Sequence, residues 1–234
     1  MEHKNNCVVC GKELVYDTTG TRAECFYCKE VCLTDVLCAG GHYVCDRCHS
    51  LKGLDLIERV ATAGSISDPI EAAITLMRHP EIKMHGPEHH FLVPAVLLAA
   101  YHSATGDTER LAEHIKTARQ RAEHVLGGFC GFYGDCGAAV GTGIALSVLT
   151  GATPLSKNEW RLCNLMTAKS LLTIALHGGP RCCKRNSFLA IIEAKAFLKE
   201  HLGVNVPGTA APRCTFTALN KECLSAECPF HGHP

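Results

Sequence analysis

Apolar residues recur at helical spacing through most of the chain after residue 53. Side chains three and four positions apart share one face of a helix, so this pattern predicts amphipathic helices. Nothing in this part of the chain predicts a sheet. The predicted helices cover approximately residues 54–60, 68–77, 88–105, 111–125, 137–149, 157–177, and a last one from 186 onward.

Glycine, proline and capping residues set the predicted helix ends. Gly127-Gly128 and Gly178-Gly179-Pro180 end two of the helices, and Ser156 with Glu159 forms a capping box for the sixth. Asn186 or Ser187 is expected to cap the last helix, and Pro94 to bend the third or delay its start. The fifth helix is rich in Gly and Ala, which suits close contact with neighbouring helices or a cofactor.

Short connections between helices favour antiparallel neighbours, so alternate loops meet at one pole. Three unusual loops therefore converge: "HGPEHH", "GFCGFYGDCG" and "GPRCCKRN". About 12 residues separate the end of the last helix from Cys214, and they span at most roughly 40 Å at about 3.3 Å each. A helix of about 15 residues is only about 22 Å long. The tail cysteines can therefore return to this pole.

The first 50 residues follow another pattern, with many cysteines and few apolar residues. Such a segment cannot bury enough surface to fold on hydrophobic terms alone. Its spacing is Cys-x2-Cys, x14, Cys-x2-Cys, x9, Cys-x3-His, x2, Cys-x2-Cys, which gives four ligand pairs for two tetrahedral zinc sites. The predicted zinc ligands are Cys7, Cys10, Cys25, Cys28, Cys38, His42, Cys45 and Cys48.

The spacing leaves the pairing of these ligands open. The preferred arrangement is crossed: Cys7, Cys10, Cys38 and His42 bind one zinc ion, and Cys25, Cys28, Cys45 and Cys48 bind the other. A sequential arrangement is the alternative, with Cys32 and His49 as spares or substitutes. The stretch "CAGGHYVCDRC" partly resembles the middle of a RING finger, but the last cysteine pair of that motif is missing.

Composition and charge restrict the function classes. Lys+Arg and Asp+Glu both total 23, so no overall basic field favours nucleic acid or an anionic membrane. The apolar runs are shorter than the roughly 20 residues of a membrane span, and the N-terminus does not resemble a signal peptide. A cytoplasmic location is expected. Sixteen cysteines and fourteen histidines in a reducing compartment favour metal ligation or redox chemistry over structural disulfides.

The pole that the loops form is expected to hold an anionic centre. Cys136 and Cys183 precede helix starts, where free amides and the helix dipole stabilise thiolates, and Arg181, Lys184 and Arg185 add positive charge. We therefore expect an iron–sulfur cluster, of the 4Fe–4S type; a further zinc ion or a metal-free dithiol site is the alternative. The expected cluster ligands come from Cys130, Cys136, Cys183, Cys214, Cys223 and Cys228, the last followed by Pro229 as in ferredoxin-type sites.

Four residues are candidates for catalysis at the same pole: Glu88, His89, His90 and Cys182. Glu88 and the two histidines can transfer protons or bind substrate, or they can simply cap a helix. Cys182 is the candidate reactive thiol beside the expected ligand Cys183. Cys163 is expected to be a small core residue within its helix. Surface positions are expected for His79, His102, His114, His124, His201, His231 and His233.

Four stretches within residues 79–230 carry a family resemblance: "HGPEHHFLVPAVLLAAY", "GGFCGFYGDCGAAVGTGIA", "GGPRCCKR" and "NKECLSAECPF". In them the chain resembles an uncharacterised cysteine-rich domain family of anaerobic bacteria and archaea, relatives of which occur beside radical-SAM modules. The chain lacks the Cys-x3-Cys-x2-Cys motif of such a module, so that activity does not follow. The resemblance implies a setting rich in iron–sulfur chemistry and a redox or radical-SAM protein as partner.

Together these patterns predict a mainly α protein with a double zinc module at residues 1–50 and a helical bundle with a cysteine-containing tail at residues 54–234. The predicted function is that of a cytosolic metalloprotein whose iron–sulfur centre serves redox or sulfur-transfer chemistry. Two alternatives remain open. One is a non-enzymatic, zinc-stapled interaction module whose basic loop meets an acidic partner, and the other is a protein that handles metal ions or corrinoids.

Overall fold

The computed structural model describes residues 7–45, 47–48 and 52–232, with the backbone alone for 17–19. A β-hairpin carries the N-terminal cysteines: β1 (Leu14–Glu24) pairs antiparallel with β2 (Val31–Cys38), and the register shifts between Tyr16 and Thr21. The hydrophobic pattern did not predict this hairpin. Large apolar side chains on it, such as that of Leu33, are exposed, so little apolar burial stabilises the strands.

Eight α-helices follow in the part of the chain described after residue 52. They are α1 (Gly53–Thr62), α2 (Pro69–Met77), α3 (Glu88–Thr105), α4 (Leu111–Ala122), α5 (Phe129–Phe132), α6 (Gly137–Thr150), α7 (Asn158–Leu176) and α8 (Cys183–Leu202). The tail has two short 3-10 turns, Thr217–Leu219 and Ser225–Glu227. The predicted fold class, mainly α with a cysteine-rich N-terminal segment, is confirmed. Among the described helices, none has the length and apolar character that a membrane crossing requires.

Helix α3 forms the centre of the bundle, since all residues from Phe91 to Ala100 are buried. Helices α1, α2, α4, α6 and α8 pack around it. Pro94 lies within α3 without ending it, and Gly141 of α6 packs against Pro94 so closely that a Cβ there would lie 2.8 Å from the Pro94 Cδ atom. Gly143 makes a similar approach to α7. The small residues of α6 therefore serve helix packing.

The predicted N-caps of two helices were wrong. Ser156 does not cap α7, because its hydroxyl bonds to Thr153 in the preceding turn. Helix α8 begins at Cys183 instead of 186 or 187, because the Cys182 sulfur accepts a hydrogen bond from the backbone N–H of Arg185 and acts as the cap. Helix α5 was not predicted, and none of its residues is buried.

Three histidines that were expected at the surface, His79, His102 and His114, are buried. His102 lies on α3 and His114 on α4, with 2.9 Å between His102 Nε2 and His114 Nδ1. The other ring nitrogen of His102 donates to the carbonyl oxygen of Asp107. This pair joins two helices within the bundle. His124 is exposed, as expected, and His233 lies outside the described residues.

Candidate metal centres

The eight predicted N-terminal ligands form two groups, and all ligand atoms of a group lie within 4.8 Å of one another. The first group is Cys7, Cys10, Cys38 and His42, and the second group is Cys25, Cys28, Cys45 and Cys48. This is the crossed arrangement, which was preferred over the sequential one although the spacing left the pairing open. Cys32 lies in β2 outside both groups, and His49 lies outside the described residues.

Tight turns at the ends of the hairpin aim the sulfurs. In the first knuckle the Gly11 N–H donates to the Cys7 carbonyl oxygen (2.8 Å) and the Val9 N–H to the Cys7 sulfur (3.4 Å). The Cys25 knuckle closes in the same way on Lys29, which has a positive φ of 61°. Backbone N–H groups that face sulfur stabilise the thiolate form that a metal ion binds.

The donor sets of both groups fit a single tetrahedral ion. Zinc–thiolate bonds of about 2.3 Å place two sulfurs about 3.8 Å apart. The sulfurs of Cys10 and Cys38 are 3.4 Å apart, and those of Cys28 and Cys45 are 3.8 Å apart. All four residues of the second group are buried, whereas Cys10 in the first group is exposed. Each group can therefore hold a metal ion, the second one out of contact with water.

Arg59 of α1 joins the second group to the helical bundle. Its Nη2 lies 3.4 Å from the Cys28 sulfur and 2.6 Å from Glu30 Oε2, and its guanidinium also hydrogen-bonds to Cys48. Nearby, the buried Tyr27 ring packs edge-on against His79, with centroids 5.1 Å apart. A metal ion bound by four thiolates carries a net negative charge, and the positive charge of Arg59 lies beside it.

Four other cysteines line one pocket at the start of α8. This pocket, here called the tail-cysteine pocket, is lined by Cys182 and three cysteines of the C-terminal tail, Cys214, Cys223 and Cys228. Its apolar wall includes Phe188, Phe216, Phe230 and Met84. The tail returns to the bundle as the chain length allowed. The Cys214 N–H donates to the Phe230 carbonyl oxygen (2.7 Å), and the rings of Phe188 and Phe230 pack edge to face at 5.5 Å.

Three sulfurs of the tail-cysteine pocket accept backbone hydrogen bonds. Cys182 accepts from the N–H of Arg185 (3.5 Å), Cys214 from Phe216 (3.4 Å) and Cys223 from Ser225 (3.4 Å). The two tail contacts reach the residue two positions later, as in the Cys7 knuckle. The pocket therefore shares a local feature of the N-terminal groups, although it has no Cys-x2-Cys motif.

Two of the three cationic side chains beside this pocket are buried. Lys184 is 1% exposed, and its Nζ donates to the carbonyl oxygens of Ile82 (3.3 Å) and Lys83 (2.9 Å). It also lies 5.2 Å from the centre of the Phe216 ring. Burial lowers the pKa of Lys184 to about 8, and the nearby cysteines and Glu88 act in the opposite direction.

Arg185 is 3% exposed and lines the tail-cysteine pocket. Its Nη2 donates to the carbonyl oxygens of Gly178 (2.7 Å) and Pro180 (3.0 Å). Within the described part of the chain, no carboxylate oxygen lies within 4.0 Å of the cationic nitrogens of Arg185 or Lys184. Only Arg181 is exposed. The expected basic loop is therefore largely internal and does not present a basic surface.

Cys183, unlike its neighbour Cys182, does not line the tail-cysteine pocket. It interacts electrostatically with Cys136, Cys182 and Cys130, and the backbone N–H of Gly86 acts to lower its pKa. Cys130, Cys136 and Cys183 are all half-buried and are here called the three-thiol group. The seven cysteines expected at one shared centre thus divide into two sets, with Cys182 in one and Cys183 in the other.

Burial makes these thiols weaker acids, contrary to the expectation that helix starts would favour their thiolates. Burial raises the pKa of Cys183 to about 11, and it also raises the pKa values of Cys136, Cys182 and Cys214. The helix-start amides act against this shift but do not reverse it. Without a bound cation these four side chains are neutral thiols near pH 7.

The three remaining catalytic candidates have structural contacts. His89 is buried, its Nδ1 donates to the Gly86 carbonyl oxygen (3.0 Å), and burial lowers its pKa well below the usual range. His90 donates from Nδ1 to the Val125 carbonyl oxygen (2.7 Å), and its ring packs on Gly137. Glu88 lines a separate cavity beside α1 and α4. None of them lines the tail-cysteine pocket.

Two asparagines at this pole could not be identified from sequence alone. Asn186 Nδ2 donates to the Cys136 sulfur (3.5 Å), and Asn220 Oδ1 accepts from His85 Nε2 (3.1 Å), which attaches the tail to the loop before α3. Both depend on contacts between distant parts of the chain. The meeting of the three loops, which the helix order predicted, is seen in these contacts and in that of Gly86 with Cys183.

Comparison with known proteins gives a family but no activity. No curated protein and no solved structure matches the chain. The residues matched by a family model include Arg59, the three-thiol group and the tail-cysteine pocket, but not the two N-terminal groups. Residues 57–231 match a family of unknown function, DUF5714, and the chain therefore belongs to that family.

Proposed function

We propose that this chain is a redox metalloprotein. In this proposal, Cys182, Cys214, Cys223 and Cys228 ligate an iron–sulfur cluster in the tail-cysteine pocket, and the two N-terminal groups hold structural zinc ions. The partner is a one-electron redox protein. The donor set is four cysteines that line one mostly apolar pocket, which fits the four-cysteine ligation of 4Fe–4S clusters.

The observation that carries the proposal is the burial of two cations beside four thiols. A buried charge without a partner costs several kcal/mol, so proteins pair such charges. Lys184 and Arg185 are almost fully buried, and their hydrogen bonds go to neutral carbonyl oxygens. A thiolate-ligated centre in the pocket is negatively charged and would neutralise both.

The separation of the sulfurs favours a cluster over a single zinc ion. Charge does not distinguish them, because four thiolates around one Zn²⁺ already carry a net negative charge. One zinc ion requires sulfurs about 3.8 Å apart. Both N-terminal groups meet the 4.8 Å limit, but within the described residues the tail-cysteine pocket does not. A cluster of several iron ions holds its ligands further apart than one ion does.

The surroundings of the pocket favour electron transfer over substrate binding. Four cysteines complete the ligation of a cluster and leave no position for a substrate. The phenylalanine wall keeps water away, and three N–H groups donate to the sulfurs. Exposure, charge and hydrogen bonds to sulfur set the potential of such centres. When bound, the cluster supplies one-electron transfer, and Lys184 and Arg185 would stabilise its reduced, more negative state.

The test is anaerobic purification followed by iron, zinc and acid-labile sulfide analysis, with visible and EPR spectra before and after reduction. We expect iron and sulfide in equal amounts, with zinc bound separately. Cys228→Ser should lose the iron and the colour. The matched control is Cys163→Ser, which removes a half-buried thiol on α7 outside both cysteine sets and should leave the iron unchanged.

Two results would contradict the proposal. The first is a colourless protein that contains only zinc after anaerobic purification and reconstitution with iron and sulfide. The second is retention of iron in both single variants, Cys228→Ser and Cys214→Ser. A zinc ion lost in both of these variants would leave the pocket as a metal site but remove the redox function.

A further inference from the structure

We infer that the three-thiol group, Cys130, Cys136 and Cys183, is a separate site that binds and releases a soft, thiophilic metal ion. The inference does not depend on the cluster in the tail-cysteine pocket. It rests on three features of this group: fixed sulfur ligands at two helix starts, a third ligand on a loosely packed segment, and a separation of the sulfurs that only movement of that segment can close.

Cys136 and Cys183 form the fixed part of the site. They stand at the starts of α6 and α8, and their sulfurs accept hydrogen bonds from elements elsewhere in the chain. Asn186 Nδ2 donates to the Cys136 sulfur (3.5 Å), and the Gly86 N–H acts to stabilise the Cys183 thiolate. Donors of this kind orient metal ligands and stabilise the thiolate that forms when an ion binds.

Cys130 forms the movable part. It lies on α5, which has no buried residue, and the segment begins and ends near Gly128 and Gly134, both with positive φ. A Cβ atom added at Gly127, Gly131 or Gly134 would meet no other atom within 4 Å. Segments with so few packing contacts open and close at low free-energy cost. Cys130 can therefore approach the two fixed sulfurs without disturbing the core.

The three sulfurs are too far apart in this structure to bind one ion together. Among the described residues, its three sulfurs do not all lie within 4.8 Å of one another, unlike the ligands of the two N-terminal groups. One ion needs sulfurs about 4 Å apart, so binding requires the Cys130 segment to close. Three protein ligands leave a coordination position free, which is typical of sites that exchange their ligand or ion. Phe132 and Tyr133, both strongly exposed, flank Cys130 at the surface.

The chemistry selects the ion class. Three thiols bind a divalent ion by releasing their protons to solvent, and no electron transfer is involved. Soft thiolate ligands select ions such as Cu⁺, Zn²⁺ and Cd²⁺ over Mg²⁺ and Ca²⁺, which prefer oxygen. An exchangeable three-sulfur site suits the uptake or transfer of such an ion.

The experiment titrates the anaerobically purified protein, with its resident metals in place, with Cd²⁺. Bound cadmium is measured by elemental analysis, the thiolate-to-cadmium charge-transfer band is followed, and ¹¹³Cd NMR reports the sulfur ligation. We expect one Cd²⁺ per chain in addition to the resident metals, with a three-sulfur resonance. Cys130→Ser and Cys136→Ser should abolish it, whereas Cys163→Ser should bind like the unmodified protein.

A second variant covers the case in which a cysteine variant folds poorly. Asn186→Asp keeps the oxygen that accepts from Arg185 Nε and replaces the N–H that faces Cys136. It should weaken Cd²⁺ binding about 10- to 100-fold. Excess Mg²⁺ should not compete.

Three outcomes would overturn the inference: equal cadmium binding in Cys130→Ser, Cys136→Ser and the unmodified protein; cadmium uptake matched one for one by zinc release; or unchanged affinity in Asn186→Asp. Iron content is measured in every sample. Absence of iron from the unmodified protein, with the extra Cd²⁺ still bound, would contradict only the proposed cluster. Iron at the expected content without any extra Cd²⁺ would contradict only this site.

Discussion

The second N-terminal group and the tail-cysteine pocket each offer four cysteines, but they are built in different ways. The N-terminal group consists of two Cys-x2-Cys pairs, and each pair is aimed by its own turn. In the tail-cysteine pocket, Cys182 comes from a helix cap and its three partners come from a tail that returns across the bundle. Equal numbers of cysteines therefore do not imply equal sites.

The charged surroundings differ in the same way. Beside the N-terminal group, Arg59 forms an ion pair with Glu30, and Arg47 pairs with the same carboxylate. The tail-cysteine pocket meets Lys184 and Arg185, neither of which has a carboxylate partner within 4.0 Å in the described part of the chain. The cations beside the first site have a carboxylate partner before a metal binds, whereas within the described residues those beside the second do not. Metal binding should therefore affect the stability of the two regions differently, and the following predictions test this difference.

The largest effect is expected from Cys48→Ser, because Cys48 is completely buried in the second group. Structural zinc contributes on the order of 10 kcal/mol to small domains that depend on it. One zinc ion per chain should be lost and residues 7–48 should become sensitive to protease, while the helical circular dichroism signal persists. Cys32→Ser, which changes a cysteine outside both groups, should have neither effect. Equal zinc content in the two variants would contradict the assignment.

The next effect tests charge compensation in the tail-cysteine pocket. With the centre in place, Arg185→Met should destabilise the protein by about 3–5 kcal/mol, because a buried charge pair loses one partner. In a Cys228→Ser background the same change should be neutral or stabilising, since the buried cation then has no counter-charge to lose. Chemical denaturation of the four proteins gives the interaction energy.

The exposed Arg181→Met serves as the control for that cycle and should change stability by no more than about 0.5 kcal/mol. Equal destabilisation by Arg185→Met in both backgrounds would show that the guanidinium matters for its carbonyl contacts alone.

A smaller effect is expected at the N-terminal sites from Arg59→Gln. This change removes the donors to Cys28 and Cys48, and loss of such a contact lowers metal affinity about 10- to 100-fold. Chelator competition should show faster zinc loss from the second group only. The first group, which Arg59 does not contact, is the internal control. Equal zinc loss from both groups would refute the role given to Arg59.

The smallest effect concerns pH. Burial, with the neighbouring His102 and Arg110, lowers the pKa of His114 below its ordinary value of 6.5, against the weaker opposite effect of Glu113 and Asp107. The unfolded chain therefore binds more protons, so stability is fully present above pH 6.5 and is lost as the pH falls below it. The denaturant concentration at the midpoint of unfolding should therefore decrease as the pH is lowered from 7 to 5.

His114→Phe should reduce that slope. It should not abolish it, because the buried His89 has a lowered pKa and acts with the same sign. His124→Gln, at an exposed position of the same region, should leave the slope unchanged. A steeper slope in His114→Phe would rule out the buried pair as its source.

Local sequence patterns predicted most of the helices and the N-terminal ligand pairs, but left open how those pairs combine. Helical spacing is read within a few turns, and each Cys-x2-Cys pair forms within a few residues. The hairpin was missed because large apolar side chains on it are exposed, so its sequence does not show the alternation of apolar and polar residues that a half-buried strand has. The start of α8 was missed because a sulfur, which is not a usual cap, receives the Arg185 N–H. His79, His102 and His114 were misplaced because their burial depends on neighbouring elements.

The sequence by itself determined a mainly helical protein, the number of N-terminal ligand pairs and the convergence of three loops, because these depend on short-range spacing and helix order. Only the tertiary structure decided that Cys182 lines the tail-cysteine pocket while Cys183 does not, and that Lys184 and Arg185 are buried. Neighbouring residues at a helix start point in different directions, and the surroundings of each side chain come from distant segments. Such long-range contacts leave no local pattern to read.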